Sequence, residues 1–83
     1  MKNRSFRDFY TIKEKIDNDL DISDKSLVTL VVIYNKALDS IDEFSEKELT
    51  MFNFINENKE ITENGLKYLD KKETIEKLKK IIG

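Results

Sequence analysis

The 83-residue sequence has no cysteine, no histidine, no tryptophan and no proline, and only two glycines. Without cysteine no disulfide can form, and nothing argues for an oxidising compartment. Zinc sites built from Cys and His are excluded. General acid–base chemistry would fall to carboxylates, lysines or tyrosines. Gly65 and Gly83 stand alone, so there is no glycine-rich phosphate loop. The longest apolar run, around Leu27 to Tyr34, is broken by Thr29 and is too short to span a bilayer. The opening MKNRSFRDFY lacks the apolar core of a secretory leader. The expectation from these absences is a cytoplasmic, non-enzymatic chain with no membrane contact, no cofactor and no small-molecule substrate.

What is present favours helices. Hydrophobic and charged residues each make up 39% of the chain, with five Phe and three Tyr to build a core. A single domain of this size buries only about 60–65% of its unfolded surface, so packing or a partner must supply stability. Scarce breakers among many Lys, Glu, Leu and Ile point to an all-α bundle of four to five short helices. Net charge is −2 but unevenly spread: +3 over residues 1–7, −8 over 8–66 and +3 over 67–83.

Apolar periodicity places the elements. Phe6, Phe9, Ile12 and Ile16 form one stripe of a first helix, about Ser5 to Asn18, which the acids Asp17, Asp19 and Asp21 should end. A second helix should start behind Ser23 or Asp24 and run to about Ser40, with Leu27, Leu30, Val31, Tyr34, Ala37, Leu38 and Ile41 on one arc. A third is predicted over Glu46 to Asn58. Ser45 and Glu48 have the spacing of a capping box, and Phe44 and Leu49 that of a hydrophobic staple. Thr62 can cap a short helix through Leu69. Asp70 and Glu73 could form a second capping box for a final helix of about Lys71 to Ile82, with Ile75, Leu78 and Ile82 on one face; one helix over residues 62–82 is the alternative, with a polar gap from Asp70 to Thr74 in its apolar stripe. The alternative is an α+β fold: VTLVVIY is β-branched and aromatic, and a small hairpin near residues 60–69 could turn at Asn64-Gly65.

Three patterns bear on function. Asp17, Asp19, Asp21 and Ser23 alternate as in a calcium-binding EF-hand loop, but Ile22 and Val28 stand where that loop needs glycine and glutamate. An acidic inter-helix loop is the expectation. The stretch ITENGLKYL, with Thr62-Glu63, Gly65-Leu66 and Tyr68-Leu69, resembles the start of the last helix in winged-helix DNA-binding proteins. That resemblance implies a recognition helix followed by a two-stranded wing. Phe54 to Ile61 is too short to hold that wing, so the wing is missing or reduced. A helix-turn-helix built on Lys71, Lys72, Lys77, Lys79 and Lys80 would contact DNA phosphates, yet it carries no Arg, Asn or Gln to read base edges.

The third pattern is a surplus of apolar residues off the main stripes: Val28, Val32, Ile33, Met51 and Phe54. Aromatics and methionine are enriched at interface cores, and a marginal core gains from association. The sequence therefore points to a small regulatory or interaction protein, analogous to small acidic helical products of phage and mobile elements. It would bind a protein partner, or a second copy as a homodimer, through these five residues. A DNA-binding regulator using the five lysines is the alternative.

Overall fold

Five helices make up the fold in the computed structural model, which describes residues 4–36 and 41–83. They are α1 (Arg4–Asp17), α2 (Asp24–Tyr34), α3 (Glu43–Met51), α4 (Glu63–Leu69) and α5 (Lys72–Ile82). The all-α expectation holds, and residues 27–34 are helical despite their β-branched content. A strand needs partner strands, and among the described residues the one bridge, Ile55–Ile61, is isolated, whereas a central helix can bury this segment on two sides.

A chain with two glycines must end its helices by other means, and here Asp19, Lys36 and Asn53 take the left-handed conformation (φ 59°, 56° and 66°). After α1 the Leu20 N–H bonds the Lys15 carbonyl (2.8 Å) and Asp19 N–H bonds Ile16 (3.2 Å). After α3 the same pair runs from Phe54 to Leu49 (2.8 Å) and from Asn53 to Thr50 (3.0 Å). Both are Schellman closures, with Asp and Asn standing in for glycine.

These stops correct two boundaries. α2 ends at Tyr34 rather than near Ser40; Ala37, Leu38 and Ser40 lie outside the described residues, as does the Phe6 side chain. α3 ends at Met51 rather than Asn58, because Asn53 turns the chain out of the helix. Its start is also corrected. Asp42, not Ser45, is the cap, accepting from Ser45 N–H at 3.2 Å, so the helix begins three residues earlier than the capping box implied. The predicted staple dissolves with it, since Phe44 is already inside the helix.

The following segment folds into a tight loop rather than more helix. Ile55 and Ile61 pair as an isolated antiparallel bridge. The Asn56 Oδ1 accepts from the N–H groups of Asn58 (2.9 Å) and Glu60 (3.0 Å). The hairpin alternative is thus displaced: the turn lies at 56–60, and Asn64-Gly65 sits inside α4. Thr62 caps α4 as expected, accepting from Gly65 N–H at 3.1 Å. α4 and α5 are two helices, broken at Asp70-Lys71. Asp70 ends α4 instead of capping α5, whose cap position is Lys71 with no side-chain bond.

α2 packs against α3 and α5, α4 packs against α5, and α1 rests on α3. The core joins Ile22, Leu27, Leu30, Ile33, Leu49, Ile55 and Tyr68. Each such aliphatic side chain contributes about 1.5–3 kcal/mol when removed from water. Ile12 of α1 is fully buried but stands apart from that cluster. No helix among the described residues is long and apolar enough to cross a membrane.

Candidate functional site

The loop between α1 and α2 is held by two polar nodes, and the second of them borders a groove. The first is Glu48 on α3, fully buried. Its carboxylate accepts from Lys15 Nζ (2.6 Å), Ser23 Oγ (2.9 Å) and Ser23 N–H (3.0 Å). Burial pushes this carboxyl upward, but the bonds from Lys15, Ser26 and Ser23 outweigh it and hold the group below its ordinary value. One buried charge thereby ties α1, α3 and the start of α2 together.

The second node is Asp21. The Tyr68 hydroxyl of α4 donates to its Oδ1 (2.5 Å), and Lys77 of α5 donates to its Oδ2 (3.1 Å) and to the Ile22 carbonyl (3.0 Å). Desolvation raises the Asp21 carboxyl, and the Tyr68 and Lys77 bonds more than reverse this, leaving it lowered. Burial first, and then Asp21, drive the Tyr68 phenol well above its ordinary range, so it stays a donor at any physiological pH. The alternating acids of the loop are all engaged in this way or on the surface. Asp17 pairs with Lys13 (2.9 Å), and among the described residues no cluster of three acidic side chains could hold a metal ion.

The groove has a volume of about 530 Å³ and lies between this loop, the segment after α3 and the α4–α5 junction. Its walls are aromatic. Phe54 stacks on Tyr68 with centroids 4.5 Å apart, and Phe52 packs on Phe54 at 5.8 Å. Leu20 stands at the rim, 57% exposed. Lys71, Asp19 and Glu73 complete the rim, and among the described residues none of these three is in an ion pair.

The five predicted interface residues do not form one patch. Ile33 is core, 7% exposed. Phe54 left the helix face on which it was counted, because the chain turns at Asn53, and it lines the groove instead. Val28 is exposed on α2 and Val32 is half-buried. Met51 is half-buried on the flank of α3 that carries Phe44 and Lys47, the side facing Lys15 and Asp8 of α1. Of the five lysines, Lys77 is committed to Asp21 and Asp24. Lys71 is on the groove rim. Lys72, Lys79 and Lys80 are exposed on α5, where Glu73 and Glu76 alternate with them. Leu20, Phe52 and Tyr68 were missed as site residues. The Phe52-Asn53-Phe54 order, with an Asn able to turn left-handed between two rings, was the available signal.

Neither a protein-family model, nor a curated protein, nor a solved structure matches this chain.

Proposed function

We propose that the chain is a non-enzymatic interaction protein that binds a protein partner through the aromatic groove. The observation that carries this reading is a concave surface walled by Phe52, Phe54 and Tyr68 with an exposed Leu20 at its lip. Such a surface suits one or two apolar side chains of an inserted segment, since aromatic-lined clefts are where interface anchors bury most area. The rim favours a partner with cationic residues beside that anchor: Asp19 and Glu73 outnumber Lys71.

Two further points support binding over chemistry or DNA. The buried and half-buried carboxylates, Glu48 and Asp21, are lowered and already paired, which suits a scaffold rather than proton transfer at neutral pH. The lysine face of α5 lacks Lys77 and is interrupted by acids, which weakens a phosphate-binding stripe.

Panning a random peptide display library on the immobilised protein tests the proposal. Enriched peptides should share an aromatic or leucine anchor next to Lys or Arg. A synthetic copy should shift amide resonances at Leu20, Phe52, Phe54 and Lys71, and Leu20→Asp should abolish the shifts while helix content survives. Peptides that perturb a different surface, or that bind Leu20→Asp equally well, would remove the groove as the site.

A further inference from the structure

The core of the fold begins after α1. Among the described residues, every side chain of the core cluster, and every apolar one packed against it, lies beyond Asp21. α1 rests on α3 through a narrow strip. Of residues 7–17 only Asp8, Ile12 and Lys15 are withdrawn from solvent, and only Ile12 fully. Their spacing puts them on one face of the helix. Phe9 and Ile16, which share the apolar stripe of Ile12 in the sequence, stay 45% and 41% exposed.

Beside Ile12 the ties are polar. Lys15 meets Glu48 at 2.6 Å and lies over the Phe44 ring at 5.7 Å, and Lys47 meets Asp8 at 3.8 Å. A helix as short as α1 is marginal in water without packing, so these few contacts decide whether it stays folded. Opening would strand no buried charge: Glu48 keeps its bonds from Ser23 and, with α1 gone, faces water.

The hinge falls between Leu20 and Asp21. The N–H groups of Asn18, Asp19 and Leu20 bond back to carbonyls of α1, at 3.0, 3.2 and 2.8 Å. Asp21 bonds forward: its Oδ1 accepts from Ile22 N–H (2.7 Å) and from Tyr68, and its Oδ2 from Lys77. Leu20 is exposed, whereas Ile22 is buried.

We infer that α1 is a hinged strap, which opens from α3 as a unit while α2 to α5 stay folded and carries the lip of the aromatic groove with it. Asp19 and Leu20 border the groove from the α1 side of the hinge, Asp21 and Tyr68 from the other. Docking of α1 therefore sets the shape of the groove, and a ligand that grips Leu20 holds α1 closed. That consequence rests on the groove being the binding site; the opening itself does not.

Native-state hydrogen exchange of the full chain, read residue by residue by NMR, tests the inference. After correction for intrinsic rates, the amides of residues 10–20 should exchange with one common free energy, about 100-fold or more faster than the slowest amides of α2 and α3. The step in protection should fall between the Leu20 and Ser23 N–H groups. Ile12→Ala should speed the α1 set by about tenfold or more, and Asp8→Asn by about two- to fivefold, with the slow amides unchanged. Protection of residues 10–20 equal to that of the core, or exchange graded from the N-terminus with no common value, overturns the inference. So does a Leu20 amide protected like that of Ser23, or an Ile12→Ala variant whose core amides accelerate with those of α1. A groove that binds no peptide leaves this exchange pattern unchanged, so the two proposals fail separately.

Discussion

Asp42, Ser45 and Glu48 carry the sharpest difference between local pattern and folded structure. Ser45 and Glu48 have capping-box spacing, but so do Asp42 and Ser45 for an Asp cap, and a tertiary partner decides between them. Glu48 is drawn to Lys15 and Ser23, which leaves it unable to reach back to a local N–H. The Ser45 hydroxyl is then buried without a hydrogen-bond partner among the described residues. Ser45→Ala should therefore be neutral or slightly stabilising, since it removes an unsatisfied polar atom, whereas Asp42→Ala should cost about 1 kcal/mol. Urea unfolding followed by far-UV circular dichroism separates the two readings. A loss of about 1 kcal/mol in Ser45→Ala, with none in Asp42→Ala, would restore Ser45 as the cap.

At the scale of elements, the stretch that resembles a winged-helix segment has a different physical role here: it closes the loop behind α3. Thr62 accepts from Gly65, its hydroxyl donates to the Asn53 carbonyl (2.7 Å), and its N–H donates to the Phe54 carbonyl (2.9 Å). Gly65 is needed for close approach, not for unusual backbone angles: a Cβ there would lie 2.4 Å from the Phe54 carbonyl oxygen and 2.7 Å from Ile61 Cγ1. Alanine improves helix propensity by about 1 kcal/mol, but a clash with backbone costs more, so Gly65→Ala should destabilise by a net of about 1–2 kcal/mol. It should also displace the Phe54 ring, read as a change in ring-current shifts across the Tyr68 contact. Unchanged stability and shifts would mean that the loop can move away at little cost. The Thr62 cap and the break before α5 were legible because each rests on residues adjacent in sequence. The groove was not. Phe54 looks like a helix-face residue until Asn53 turns the chain, and Tyr68 and Leu20 join it only through the tertiary fold, from the later helix α4 and from the loop after α1.

For the molecule as a whole, the two carboxylate nodes make acid the informative perturbation. Glu48 and Asp21 join the α1–α2 loop to α1, α3, α4 and α5, and both are held below their ordinary values of 4.5 and 3.8. A carboxyl whose folded-state pKa is lowered binds its proton more readily when unfolded. Its contribution to stability is complete above the unfolded-state value and is lost as pH falls through the lower folded-state value. Stability should therefore be nearly level from neutrality down to about pH 5 and fall below about pH 4, where the unfolded chain takes up protons that these two ties still resist, until the ties themselves are protonated at lower pH. The Glu48→Gln variant should be weaker than the unaltered chain at neutral pH, because Lys15 is left facing a neutral amide, yet its stability should fall less steeply in acid. Asp21→Asn should behave in the same direction with a smaller effect, since that carboxylate is half-exposed and solvent screens its pair with Lys77. Urea midpoints measured from about pH 7 to about pH 2.5 test the sign directly. If both variants lose stability in acid as steeply as the unaltered chain, the dependence comes from the general excess of acids over residues 8–66, and the two nodes do not govern it.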